Sequence, residues 1–403
     1  MLLKVYLFLL VIFVGLIPAA PSELTPLVGG GIALLAIGLG ASTWLLLDPR
    51  IQILLTRSRI FRWIGLYMVF CGLSFFVAYL NGTGLGDYLK GLGPNLILLF
   101  FVLVISVLGR KRASYQELIT MVLVAAVVSG LRVIVELIVV IASGIDLGAL
   151  TRLSQISSDA LSPIFVIGSL TGIALLNYQK RHRGFTIAAV VFLSAISLFS
   201  GSRAHLLTLL LGIMLFAYLE KRVSKRLVIM LLVLVGCLMI MIQVIGMNPF
   251  ALALERINDD ESGRINEYLF GLSRFMDSPI WGMGLGFPVP TELIYGSTSS
   301  QFLASYALMN PTVGYLHNFF VYLLMDMGVT GLLSYLAVMV FSIQALWRIG
   351  GLVRNWGVTS LIILHLFGMT EPSLRHIPSL FLIAIVVAIG IQIENEDPSG
   401  KLT

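Results

Sequence analysis

Stretches of about 20 apolar residues, the length a helix needs to cross the hydrocarbon core of a bilayer, recur along this chain roughly twelve times. Their centres fall near Leu10, Ile37, Val69, Phe100, Val127, Gly168, Val191, Leu211, Val235, Tyr322, Ile363 and Ile385. Composition agrees with that reading. The 403 residues are 58% hydrophobic and 11% charged, with a mean hydropathy of +0.99, whereas a soluble domain carries about 25% charged residues. The expected fold is all-α: a polytopic transmembrane helical bundle of about 12 spans with one large helical loop. Leu2 to Ala20 has a thin basic leader and a second apolar span follows at once, so it reads as the first span and not as a signal peptide.

Orientation follows from the short loops, where lysine and arginine mark the cytoplasmic side. Every second loop is basic, from Lys4 through Arg57, Arg110, Lys180, Lys221 and Arg348 to Lys401. Both termini then lie in the cytoplasm. The net charge of +6 is mostly this topology, so nucleic acid is not an expected partner. The two cysteines, Cys71 and Cys237, sit in apolar runs and imply no disulfide framework.

Eight basic residues fall outside that pattern: Lys90, Arg132, Arg152, Arg203, Arg256, Arg264, Arg274 and Arg375. Seven of the eight are arginine, whose planar fork suits bidentate phosphate binding. Three of them belong to the one long polar stretch, which divides the chain. Residues 1–247 hold spans 1–9, residues 248–314 form a large outer loop, and residues 315–403 hold spans 10–12 and a cytoplasmic tail. The other outer turns are expected at Pro21 to Glu23, Asn81 to Gly93, Gly144 to Asp159, Gly201-Ser202 and Thr370 to Arg375.

Several groups carry chemistry, each with a plainer alternative. Arg203, in Ser200-Gly201-Ser202-Arg203, stands at the outer end of a span as an anion contact or a headgroup anchor. Arg264 follows Ser262-Gly263 in what reads as a first helical turn, where the helix terminus and the guanidinium both favour phosphate. The other charges of that loop, Glu267 among them, read as surface. His317, beside Asn318 at the outer end of a span, is a candidate base for a sugar hydroxyl. Gly328 and Gly331 read as a close-packing face of the same helix. Gly282-Met283-Gly284-Leu285-Gly286 reads as a structural turn, since no strand precedes it. Intramembrane charges at Arg132, Glu136 and Asp326 serve substrate binding or structure, and Asp326 is a candidate partner for an arginine. Glu371, Arg375 and His376 cluster before the last span, while His205 is expected to point away from any site. Asn81-Gly82-Thr83 matches a glycosylation sequon, as chance triplets do. No set of side chains has metal-ligand spacing, and neither a metal nor a cofactor is expected.

Taken together, Ser-Gly-Ser-Arg203, Gly263-Arg264 followed by Ser278-Pro279 and Gly-Met-Gly, and His317-Asn318-x9-Gly328-x2-Gly331 resemble the O-antigen ligase and polymerase family of bacterial membrane glycosyltransferases. The resemblance is most specific over about 195 to 345. It implies a glycosyltransferase C-like bundle in the inner membrane with a periplasmic active site. The implied donor is a glycan on undecaprenyl diphosphate, and the acceptor is lipid A core (ligase) or a second lipid-linked glycan (polymerase), with a chain-length regulator as a further partner. By the same resemblance Arg203 and Arg264 hold the diphosphate and His317 acts on the acceptor; Asn318, Arg375 and Arg132 are read from their own positions as further candidate substrate contacts. The ligase is slightly favoured. A rival class, a flippase for lipid-linked saccharide, would route charge through Arg132, Glu136 and Asp326.

Overall fold

A computed structural model describes residues 9–14, 16, 49–108, 112–142, 162–178, 183–199, 203–220, 265–290, 312–313, 316–369 and 372–395. The spans expected near Ile37 and Val235, and Cys237, Arg256, Arg264 and Glu371, lie outside these residues.

Among the described residues ten helices organise the bundle: α1 (Pro49–Arg57), α2 (Arg59–Leu80), α3 (Leu85–Leu108), α4 (Arg112–Ala142), α5 (Ser162–Tyr178), α6 (Arg183–Phe199), α7 (Arg203–Glu220), α8 (Phe319–Ile349), α9 (Gly351–Gly368) and α10 (Ile377–Asn395). A further helix covers 265–277 in the polar loop, and a 3-10 turn covers Pro372–Arg375. Among the described residues the only strands are Val289–Pro290 and Thr312–Val313, a two-residue antiparallel pair. Among the described residues five helices are long and apolar enough to cross a membrane, and three shorter apolar helices accompany them. This is a polytopic helical membrane protein.

The last helix is its axis. A helix that is apolar all round must be enclosed, and every residue of α10 from Pro378 to Ile393 is buried. It packs chiefly on α3 and α8, with α2, α9 and α5 completing the ring. Phe381 meets Phe101 edge to face at 5.4 Å. Gln392 donates from its side-chain amide to the Ser106 carbonyl. A second layer forms as α5 packs between α4 and α6, with α7 lying along α9.

The basic end of the bundle is fastened by carboxylates. Glu394 on α10 accepts from the Ser58 hydroxyl at 2.7 Å and the Ile60 N–H at 3.1 Å. Ser58 in turn caps α2 by accepting the Phe61 N–H at 3.2 Å. Glu220, closing α7, accepts the Asn355 amide at 2.6 Å, and the Trp356 indole on α9 donates to Thr171 on α5 at 2.8 Å. These bonds hold one end together and leave the opposite end to be shaped by the loops.

Two boundaries differ from expectation. Helix α3 begins at Leu85, so the outer turn expected from Asn81 to Gly93 shortens to Asn81–Gly84, with Pro94 inside the helix. The glycine there serves packing: a Cβ on Gly91 would lie 2.9 Å from the Gly286 Cα. The span expected around Tyr322 is a 31-residue helix extending to Ile349, and it is broken at Gly328, whose φ of 63° and ψ of −162° are not helical.

Candidate functional site

At the end of the bundle opposite the fastened carboxylates, the start of α8, the 265–277 helix, the 3-10 turn and the end of α9 converge. Helix α8 starts where Asn318 caps it: the Asn318 side-chain oxygen accepts from the Phe320 and Val321 N–H groups at 3.0 and 3.1 Å. Such a cap satisfies donors that a helix start leaves open. His317 stands one residue before it, and the helix geometry therefore fixes its backbone.

The 265–277 helix approaches His317 by its polar side. Ile265, Leu269, Leu272 and Met276 are all exposed on one stripe, as the 3.6-residue period places them. Glu267 lies opposite that stripe and is 1% exposed. Gly271 lets the two elements close up, since a Cβ there would lie 2.6 Å from side-chain atoms of Leu316 and Val321. Tyr268 on the same helix donates its hydroxyl to the Met369 carbonyl beyond α9 at 3.4 Å.

The result is a carboxylate–imidazole pair. Glu267 Oε1 lies 2.6 Å from His317 Nδ1, and Glu267 Oε2 accepts the His317 backbone N–H at 3.0 Å. A carboxylate at Nδ1 selects the tautomer with the proton on that nitrogen, so basicity resides at Nε2. The acid also stabilises the imidazolium that forms when His317 takes a proton, as carboxylates do in hydrolytic triads. Glu267 was expected at the surface, and its burial corrects that reading. Its place opposite an apolar stripe reads as solvent-facing in the sequence, so nothing there marked it as buried.

Arg375 closes the 3-10 turn, and its guanidinium carbon lies 4.4 Å from the Tyr322 ring centroid. A cation over an aromatic face is held in place by the ring's quadrupole. Both line a small pocket together with Tyr67, Asn95, Leu285 and Tyr335. Its polar wall is ordered by hydrogen bonds: Tyr67 donates to Asn95 at 2.7 Å, and Tyr335 meets His365 Nε2 at 3.0 Å. His365 Nδ1 points at the Leu361 carbonyl at 2.6 Å, which makes Nδ1 the donor and Nε2 the acceptor from Tyr335. Beside Arg375, burial and then the arginine's charge lower the His376 imidazole to about 4. His376 is therefore neutral at neutral pH.

The other expected residues divide. Arg203 is the first residue of α7, and its side chain lies outside what is described. Its helix start is nonetheless near the site. His205, fully buried, meets Phe367 edge to face at 5.5 Å, and the neighbouring Gly368 abuts Leu374 and Phe319. Arg264 lies outside the described residues, just ahead of the 265–277 helix that carries Glu267. Arg132 donates to the Leu16 carbonyl at 3.3 Å on the N-terminal helix, and the side chain of Glu136 is outside the description. Asp326 Oδ2 accepts the Gly286 N–H at 2.9 Å, and the positive charge of Arg375, over the Tyr322 ring, lies near enough to act on that carboxyl electrostatically. The glycine-rich stretch is a turn, with positive φ at Gly282, Gly284 and Gly286, packed against α2, α3 and α8. Asn81 donates its amide to the Met283 carbonyl of that turn at 3.0 Å.

Residues 188–336 match a family model described as O-antigen ligase. The matched segment runs from within α6 to within α8, and takes in Arg203, Arg264, Glu267 and His317. A search of the curated proteins finds no match to the chain.

Proposed function

The O-antigen ligase match over residues 188–336 supports the O-antigen ligase and polymerase family for this chain, and on that premise we propose that it is an inverting glycosyltransferase working at the periplasmic face of the bacterial inner membrane. The donor is a glycan on undecaprenyl diphosphate, and the acceptor is a sugar hydroxyl. The observation that carries this reading is the buried Glu267 carboxylate on His317 Nδ1 at 2.6 Å. It orients the imidazole and makes Nε2 its basic nitrogen, as a general base requires.

In the proposed step the acceptor oxygen attacks the anomeric carbon while His317 Nε2 takes its proton. The bond from that carbon to the diphosphate oxygen breaks from the opposite face, and lipid diphosphate leaves. Negative charge grows on the diphosphate, where Arg203 and Arg264 supply fixed positive charge. Arg375, braced on Tyr322, is a third cation at the same end of the bundle. Of the residues that a carrier would use, Arg132 donates to the Leu16 carbonyl and Asp326 accepts the Gly286 N–H.

The test is glycan transfer from purified lipid-linked donor by variants that insert normally. Arg203→Ala, Arg264→Ala and His317→Ala are each expected to abolish it, and full activity in Arg264→Ala or His317→Ala would overturn the proposal. Ligase activity on lipid A core is the favoured form. A deletion strain separates it from repeat-unit polymerisation: bare core with long chains retained on carrier lipid indicates the ligase, and core bearing a single repeat indicates the polymerase.

A further inference from the structure

The break in α8 exchanges its lost hydrogen bonds with the glycine turn, group for group. In an unbroken helix the carbonyls of Met325 and Asp326 would accept the N–H groups of Val329 and Thr330. At Gly328 those two bonds are absent. Instead Met283 N–H donates to Met325 at 2.7 Å and Gly284 N–H donates to Asp326 at 2.9 Å. On the far side Val329 N–H donates to the Pro279 carbonyl at 2.9 Å and Thr330 N–H to the Ile280 carbonyl at 3.3 Å. The Thr330 hydroxyl adds a bond to Ile280 at 2.9 Å, and the Asp326 carboxylate takes the Gly286 N–H at 2.9 Å. Helix breaks at membrane depth persist only where the freed groups are satisfied, and here the turn satisfies all four.

This turn directly follows the 265–277 helix. That helix is therefore tied to α8 at both ends. At its start Glu267 bonds His317, at its middle Gly271 lies against Leu316 and Val321, and beyond its end the turn fills the break. We propose that the break at Gly328, with Asp326, is a socket that sets the height of the 265–277 helix along α8 and so positions Glu267 on His317. Asp326 is then a positioning residue and takes no part in proton transfer. Gly328 is required because its φ of 63° is strained for any side chain, and a Cβ would collide with the Ile280 carbonyl. The proposal rests on the reading of Glu267–His317 as the catalytic pair.

The experiment uses full-length protein in lipid nanodiscs with lipid-linked donor, and reads two things: steady-state transfer and amide hydrogen exchange over 265–290. Asp326→Asn keeps a side-chain oxygen for the Gly286 N–H and is expected to hold kcat within about threefold, since it retains the bond. Asp326→Leu and Gly328→Ala are expected to speed exchange at Met283, Gly284 and the 265–277 helix. They should lower kcat about 10²-fold, the scale of a 1 Å misplacement, with KM unchanged. Exchange in α3 and α10 must stay as in the unsubstituted protein, which separates a displaced helix from a misfolded bundle. Asp326→Asn as inactive as Asp326→Leu would overturn the proposal, because the charge itself would then be needed. Gly328→Ala with loosened exchange but full kcat would overturn it as well. His317→Ala with full kcat would sink the catalytic pair instead, and with it this positioning role, even where exchange showed the socket intact.

Discussion

Glu267 grips His317 at two points, Oε1 on the Nδ1 at 2.6 Å and Oε2 on the backbone N–H at 3.0 Å. One carboxylate thereby fixes both the ring's tautomer and the place where the chain enters α8. A general base oriented this way contributes about 10² to 10⁴ in rate. Glu267→Ala is accordingly expected to lower the transfer rate about 10²-fold. Glu267→Gln offers a single acceptor oxygen for two donors, and should fall between Ala and the unsubstituted protein. Rates measured at saturating donor check this, and an unimpaired Glu267→Ala protein would remove the pair from the mechanism.

Asn318 stands beside the base but is engaged in the helix start. Its side-chain oxygen accepts two N–H groups, from Phe320 and Val321. Losing an N-cap destabilises by about 1 kcal/mol, so Asn318→Ala should lower the unfolding temperature in detergent while leaving most of the transfer rate. Asn318→Asp keeps the acceptor and adds charge where the helix dipole favours it. It should unfold at the temperature of the unsubstituted protein. Loss of transfer in a fully stable Asn318→Asp protein would instead assign the side-chain amide to substrate.

Apolar periodicity made the spans legible, because a helix such as α10, buried along nearly its whole length, must be written in apolar residues. The motifs around Arg203 and His317 were legible for a different reason: polar residues at span ends are few. Glu267 was not. On a soluble protein the stripe of Ile265, Leu269, Leu272 and Met276 would face the core and Glu267 would face water. Here the stripe is exposed and Glu267 is buried against the start of α8. The role of Gly328 was hidden similarly. A glycine three residues from another reads as helix packing, and only the partners of the Val329 and Thr330 N–H groups reveal the break.

His376 gives the end of the bundle that carries His317 a pH dependence of definite sign. Burial and the adjacent Arg375 lower its imidazole from 6.5 to about 4. The unfolded chain therefore binds this proton more readily than the folded one. Its contribution to stability is complete above about 6.5 and is lost as pH falls from 6.5 towards 4. Chemical denaturation in detergent at several pH values should show that loss, and His376→Gln should flatten it over the same window. An unchanged slope in His376→Gln would mean that other groups set the acid limit.

Glu394 offers a contrast at the basic end. Its carboxylate accepts from Ser58 and from the Ile60 N–H, and it lies 3.5 Å from Arg59. It thus joins the end of α10 to the capped start of α2. Where the clasp meets α8 it does so at the basic end, with the Arg59 guanidinium 5.5 Å from the Phe341 ring centroid, far along that helix from His317. Its removal should therefore act on stability alone. Hydrogen bonds to a charged group contribute about 1.5 to 3 kcal/mol, so Glu394→Ala should destabilise by about 2 kcal/mol. Glu394→Gln, which keeps an acceptor, should lose less. The transfer rate per folded molecule should be unchanged in both variants. If Glu394→Ala lowered that rate, α10 would have to carry a change at one end of the bundle through to the other. Exchange at the 265–277 helix in the same variant would then show whether the site had moved.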